Sequence, residues 1–340
     1  MEVFTAPLST IVFFAGFGVL VGILFGFFGM GSFMVTPTLL VLGYESTVAV
    51  GSGLAFVFGT AVIATLKHRE LGQVDYRLGV VTIVGTTLGI EVGKRGLLAL
   101  REMGVASVVV STGYVFLLGM VGTMVLLETR EDARDGNDPL EFIEGARARL
   151  RAVAGVLERP SLPPKLSLRD GGDVSVWTVL AITFTVGVPA GLLGIGGGFM
   201  RIPALLYLVG TSMPVAVGTN VFSLTISGAI GSFSWAYAGG VDLSIVAPLL
   251  LGSGLGARIG SHVTKLVEAD AGKRYFGGML VASAVAVSIR HVGERANVDI
   301  LRVGGVVLIV GSAVVVAGAI LYAGVRAVRT SGDVSTSPAD

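Results

Sequence analysis

The sequence predicts an all-α, polytopic membrane protein made of two homologous repeats, each interrupted by a half-helix behind a glycine-rich break. Three observations carry that expectation. Hydrophobic residues make up 53% of the 340 residues and charged ones 14%, with a mean hydropathy of +0.84, far from the shares of a soluble domain. Apolar windows long enough to cross a bilayer recur along the whole chain. Sliding the chain on itself by 167 residues aligns Gly43–Lys94 with Gly210–Ser261 without a gap, giving 13 identities in 52 columns, where this composition gives about four or five by chance.

Taken in order, the apolar windows place about nine spans near Ser9–Phe28, Thr47–Leu66, Leu78–Val92, Val105–Leu127, Val174–Leu193, Pro214–Ala238, Ile245–Ile259, Tyr275–Ile289 and Val303–Val325. The first is preceded only by Glu2 as a charged residue. A secretory signal carries a basic leader and a small-residue cleavage site, so this run reads as a retained first span. Two shorter apolar pieces, Phe33–Leu42 and Phe199–Val209, each follow a glycine break. They are too short to cross a hydrocarbon core of about 30 Å and read as half-helices.

The aligned columns are mostly small residues. They pair Val48-Ala49-Val50-Gly51 with Val215-Ala216-Val217-Gly218 and Val74-Asp75 with Val241-Asp242; Gly85, Gly89 and Gly93 pair with Gly252, Gly256 and Gly260. Glycines four apart let transmembrane backbones approach closely, so the last six read as helix-packing faces. Residues 1–127 form the first repeat and 174–325 the second with an extra span. Between them, 128–173 holds ten acidic and eight basic residues and reads as a solvated linker. Inside it Ile143, Ala146, Leu150, Val153 and Leu157 recur at helical spacing beside Arg147, Arg149 and Arg151, a basic amphipathic helix that either lies on the membrane or bridges solvent. Residues 326–340 read as a disordered tail.

If both half-helices re-enter the membrane without crossing it, the first copy has four spans and the two copies face the same way. Counting either as a crossing inverts the second copy. The lysine and arginine bias places the linker, Lys67, Arg69 and Arg77 in the cytoplasm, opposite Lys94, Arg95, Arg101, Lys265, Lys273 and Arg274.

The most informative segment for function is Gly194-Ile195-Gly196-Gly197-Gly198-Phe199-Met200-Arg201-Ile202-Pro203, echoed by Gly29-Met30-Gly31-Ser32-Phe33-Met34-Val35-Thr36-Pro37. Backbone that is not helical at membrane depth must line a sheltered polar space. Breaks at matching places in a duplicated chain point to the substrate site of a transporter. A helix N-terminus presents unpaired N–H groups and the positive end of its dipole, so Gly29, Gly31 and Ser32 in one copy and Gly196, Gly197 and Gly198 in the other are expected to contact an anion. Arg201 follows in the first turn, where its planar guanidinium can pair two oxygens of a sulfonate or carboxylate; the alternative is that it snorkels to the interface or caps helix carbonyls. Ser52, Thr219 and Asn220 stand at equivalent places early in the next spans. They either complete the anion's coordination or hydrogen-bond between helices.

Other chemistries find little support. Glu91, beside Lys94 and Arg95, reads as a salt-bridged interfacial glutamate, and Asp75 and Asp242, each preceding a span, as helix N-caps. His68, His262 and His291 lie at span ends without partners at metal spacing, so no metal or cofactor is expected. No cysteine is present, and no span interior holds a histidine to activate a serine, so no catalytic residues and no enzyme are expected. The glycine runs lack the Gly-Lys-Ser/Thr of a phosphate loop, and no nucleic-acid partner is expected.

At these residues the chain resembles the TauE/SafE family of anion permeases, also called the sulfite exporter or toluenesulfonate uptake permease family. Each half of that family is similar in opening with Gly-x-Gly-Gly-Gly-x-x-x-x-Pro, followed by Ala-x-Gly-(Thr/Ser) and a span with Gly-x-x-x-Gly. Here these are Gly194 to Pro203, Ala216-Val217-Gly218-Thr219 and Gly252-Gly256-Gly260, with Ala49-Val50-Gly51-Ser52 and Gly85-Gly89-Gly93 in the first half. The likeness covers about residues 10–127 and 174–290. Met30 and Ser32 interrupt the first glycine run, with one residue fewer before Pro37; Arg201, the charged linker and the ninth span are not required by the family pattern. The resemblance implies a multi-pass plasma-membrane permease that moves sulfite, a sulfonate or a related organic anion, driven by a gradient of a coupling ion such as H+ or Na+. The alternative is an anion channel using the same half-helix ends.

Overall fold

The computed structural model describes residues 7–28, 32–135, 163–169, 172–263, 269–296 and 299–334. In these residues the chain is helical apart from one short hairpin. The helices are α1 (Leu8–Phe28), α2 (Val35–Leu42, entered by a 3-10 turn at Ser32–Met34), α3 (Ser46–Glu70), α4 (Tyr76–Glu102) and α5 (Ala106–Asp135). Strands β1 (Lys165–Ser167) and β2 (Asp173–Ser175) follow. Then come α6 (Val176–Leu193), α7 (Gly198–Ala204, continued by a π turn at Leu205–Val209), α8 (Met213–Tyr237), α9 (Leu243–Val263), α10 (Ala269–Ala296) and α11 (Asp299–Val334).

Among the described residues, seven helices are long and apolar enough to cross a membrane: α1, α3, α5, α6, α8, α9 and α11. The chain is thus a polytopic helical membrane protein. Both short apolar pieces are half-helices, as their lengths require. At the rise of an α-helix, the 12 residues from Gly198 to Val209 reach about 18 Å, too little to span the hydrocarbon.

The chain forms two compact units. One comprises 1–44, 111–131 and 247–340; the other 45–110 and 132–246. In the first unit α1 packs along α9, with Gly252, Gly256 and Gly260 seated on the carbonyls of Ala15, Val19 and Ile23. Helices α10 and α11 pack on each other, and both touch α2.

In the second unit α4 packs along α6. Gly85 meets Thr183, Gly89 meets Phe184 and Gly187, and Gly93 meets Val188 and Leu192, so the two helices are parallel. A Cβ at these three glycines would fall 2.1 to 2.4 Å from its nearest neighbour, which is the backbone carbonyl oxygen of Phe184 or Val188 at two of them. The six repeated glycines are therefore helix-packing faces. Each copy's glycine face lies on the first helix of the other copy.

Helix α8 also runs parallel to α4, with Gly79 against Phe222 at one end and Glu91 bonded to Ser234 at the other. Helix α3 runs the opposite way along α8: Thr65 pairs with Thr225 at 2.8 Å, Leu54 lies against Gly231, and Gly51 lies against Trp235.

From the sequence the second copy could face either way, and the helix directions in this unit favour inversion. Because α6 and α8 both run with α4, the chain must return between them, and α6 with α7 forms a hairpin that begins and ends on one side. That pair adds no net crossing. Helices α3 and α8, which the 167-residue shift superposes, are accordingly antiparallel.

Two further expectations change. The end of the linker is ordered as a β-hairpin, with Leu166 opposite Val174, because a polar segment gains partners where it meets the ends of α4 and α6. The predicted tail is helical through Val334; no proline interrupts it before Pro338. The amphipathic segment around Ile143–Leu157 lies outside the described residues.

Candidate functional site

Three left-handed glycines end α6 and turn the chain back: Gly194 (φ +72°), Gly196 (φ +65°) and Gly197 (φ +72°). Only glycine adopts this backbone without strain. The space is equally demanding, since a Cβ on Gly194 would lie 2.3 Å from the Val50 carbonyl oxygen and one on Gly196 2.5 Å from Val57 Cγ1, both on α3. The glycine tract is thus folded tightly onto α3. Gly197 rests on Val186 and Ala190 of α6, and Gly198 on Asn220 and Leu224 of α8.

Arg201 is the fourth residue of α7 and is fully buried. Its Nη1 donates to Asn220 Oδ1 at 3.2 Å and its Nη2 to the Gly196 carbonyl at 3.3 Å. Its Nε–H has no partner. Among the described residues no carboxylate pairs with it. Both acceptors are neutral, so among the described residues no negative charge faces the guanidinium, and burying an unpaired cation costs several kcal/mol. Arg201 does not snorkel; the structure brings it together with Gly196, Gly197, Gly198 and Asn220.

Thr219 and Ser52 are also fully buried, but their hydroxyls are engaged elsewhere. Thr219 Oγ1 accepts the Asp75 N–H at 3.0 Å, and Ser52 Oγ accepts the Asp242 N–H at 3.0 Å. These four residues occupy two pairs of superposed columns, so each copy's hydroxyl holds the aspartate of the other. Alongside, a Cβ on Gly51 would fall 2.0 Å from the Gly240 carbonyl oxygen and one on Gly218 2.3 Å from that of Gln73. The sequence marked these columns as repeated without revealing that they meet. An aspartate and a hydroxyl repeated together, neither explained by packing alone, were the available signal.

Both aspartates also cap helices. Asp75 Oδ1 accepts the Leu78 N–H at 3.0 Å, and Asp242 Oδ1 accepts the Ser244 N–H at 2.9 Å. Glu91 bridges Lys94 at 3.2 Å and Arg95 at 3.0 Å and accepts from Ser234 Oγ at 2.8 Å; Lys94 also donates to Ser234 Oγ. Of the first glycine tract, Gly29 and Gly31 lie outside the described residues, and Ser32 opens the 3-10 turn before α2. Two residues before Pro37 stands Val35, where Arg201 stands two residues before Pro203.

The site is thus a buried cation on a half-helix of a polytopic helical membrane protein. The sequence model of the sulfite exporter TauE/SafE family matches residues 14–287, and the chain belongs to this family. It is 24% identical over 241 residues to the probable membrane transporter protein YunE of Bacillus subtilis (strain 168), covering 69% of this chain and 78% of that one. A probable membrane transporter protein of Xylella fastidiosa (strain 9a5c) is 25% identical over 287 residues, 82% of this chain and 95% of its own. YjnA, another probable membrane transporter protein of B. subtilis, is 27% identical over 254 residues, 73% of this chain and 87% of its own. No solved structure matches significantly. The protein is a multi-pass membrane transporter.

Proposed function

We propose that the transported species is a small oxyanion, namely sulfite, a sulfonate or a related organosulfur anion, and that it binds beside Arg201. The observation that carries this reading is the arginine's charge: fully buried, held by two neutral acceptors, with its Nε–H left without a partner. A sulfur oxyanion supplies the missing negative charge and an oxygen for Nε–H. The Gly196 carbonyl and the Asn220 side chain hold the same guanidinium, with Gly197 and Gly198 in the turn that leads to it. Thr219 and Ser52 act at one remove, fixing the helices that carry the site, and Gly29, Gly31 and Ser32 are the corresponding residues of the first copy.

Burial of the site favours a carrier over an open channel. A carrier saturates and shows counter-flow, driven by H+ or Na+; a channel passes single-channel currents. The test of the site is Arg201→Gln in proteoliposomes with sulfite and a panel of sulfonates. Uptake falls about a hundredfold, the loss expected of a buried charged hydrogen-bond partner, while the protein remains folded. Unchanged uptake of every anion removes Arg201 from the site and the reading with it.

A further inference from the structure

The exchanged aspartate–hydroxyl contacts sit at the two ends of the antiparallel pair α3 and α8, and they are built alike except in one respect. At one end Asp75 has a third partner. Its Oδ2 accepts the Arg169 N–H of the β-hairpin at 3.0 Å, and Arg169 Nη1 donates to the Val74 carbonyl at 3.3 Å. The same hairpin drives Leu168 into a buried cluster with Leu78 of α4, Val179 and Ile182 of α6, Leu205 and Val209 of the π turn, and Ala216 of α8. At the other end, among the described residues, the Asp242 carboxylate bonds only to neighbouring Ser244, through N–H at 2.9 Å and Oγ at 2.6 Å. Both ends lie in the same compact unit, so the contrast is internal to it.

We propose that the two exchanged contacts are gates at opposite ends of this unit, and that the β-hairpin latches the Asp75–Thr219 gate shut. Unit two then rests closed at the linker end and opens first at the Asp242–Ser52 end. Thr219 immediately precedes Asn220, the partner of Arg201, so parting the Asp75 end displaces the residues that hold the guanidinium. The latch rests on the transport activity of the chain and not on which anion is carried.

The chain lacks cysteine, so a single Ser223→Cys, one turn inside Thr219, reports opening without background. Asp75→Asn is the selective lesion. Its Oδ1 still caps Leu78 and its N–H still reaches Thr219, but the amide donates where it must accept from Arg169. Labelling of the thiol introduced by Ser223→Cys with a membrane-impermeant reagent is measured from each side of sealed vesicles. Asp75→Asn and Leu168→Ala raise the rate about tenfold from one side, and Asp242→Asn, which keeps its Oδ1 contacts, leaves it unchanged. Equal effects of the two aspartate variants, or none from either, overturn the latch. Amide exchange of residues 74–79 and 163–169 in the chain with Ser223 intact gives the same comparison if the Ser223→Cys variant fails to fold: faster exchange in Asp75→Asn alone supports the latch, and equal exchange overturns it. No anion enters either readout, so a failure of the Arg201 reading leaves this result standing.

Discussion

Gly89 of α4 seats on α6 much as Gly256 of α9 seats on α1: a Cβ would lie 2.4 Å from the Phe184 carbonyl oxygen in one case and 2.1 Å from that of Val19 in the other. The residues two places before Pro203 and Pro37 match in no such way, one being a buried arginine and the other the buried Val35. The seams agree because close backbone approach leaves room for glycine alone, whichever copy supplies it. The half-helices differ, and under the proposed function the reason is that one cation is enough to hold one anion. A second buried charge would only add a second desolvation cost. The glycine faces shared by both copies build the scaffold, whereas Arg201 and the hairpin on Asp75, each held by one copy, set the two halves apart.

The seam side of this comparison is the easiest to break. Gly89→Ala forces a methyl into a backbone carbonyl that no side-chain rotation can clear, costing about 3 kcal/mol. Thermal unfolding in detergent should show a large loss of stability, with poor recovery of folded protein. Gly256→Ala should behave the same way in the other unit. A well-folded Gly89→Ala protein would mean that α4 and α6 are not held as closely as described.

How much of this was legible in the sequence follows from the same division. Seven of the nine expected spans, the two half-helices, the glycine seams, the caps at Asp75 and Asp242 and the Glu91 ion pairs were readable, because each depends on local spacing or on residue type. Topology was not, since α6 looks like a full span by length yet shares its net crossing with the half-helix that follows. The exchange of Asp75 with Thr219 and of Asp242 with Ser52 was hidden for another reason. It joins residues 144 and 190 positions apart, and no periodicity reports such a pairing. The hairpin was missed because a charged, proline-bearing linker gives no apolar alternation, and only Leu168 enters the core.

The half-helix side of the comparison is sharpened by Asn220→Asp. Asn220 Oδ1 now accepts from Arg201 at 3.2 Å, and a carboxylate in its place cancels the charge that calls for an external anion. Stability should hold or rise, because the buried cation gains a partner. Anion uptake should fall about tenfold, the worth of one charged hydrogen bond, with the loss appearing as weaker apparent affinity. Normal uptake by Asn220→Asp would mean that the arginine's charge is not what the substrate answers.

The smallest effect tests whether glycine in α4 matters by position or by residue type. Gly96 lies on the same helix as Gly85, Gly89 and Gly93, but a Cβ there meets nothing within 4 Å. Gly96→Ala should therefore stabilise the helix by about 0.5 to 1 kcal/mol, since alanine loses less backbone freedom than glycine on folding. The rise in melting temperature is small, yet its sign is opposite to that of Gly89→Ala two turns away. If both variants destabilise, α4 touches more of the protein than its seam with α6, and the separation of packing glycines from incidental ones fails. If they move in opposite directions, the repeated glycines are kept for the carbonyls facing them, which is why the same spacing recurs where α9 meets α1.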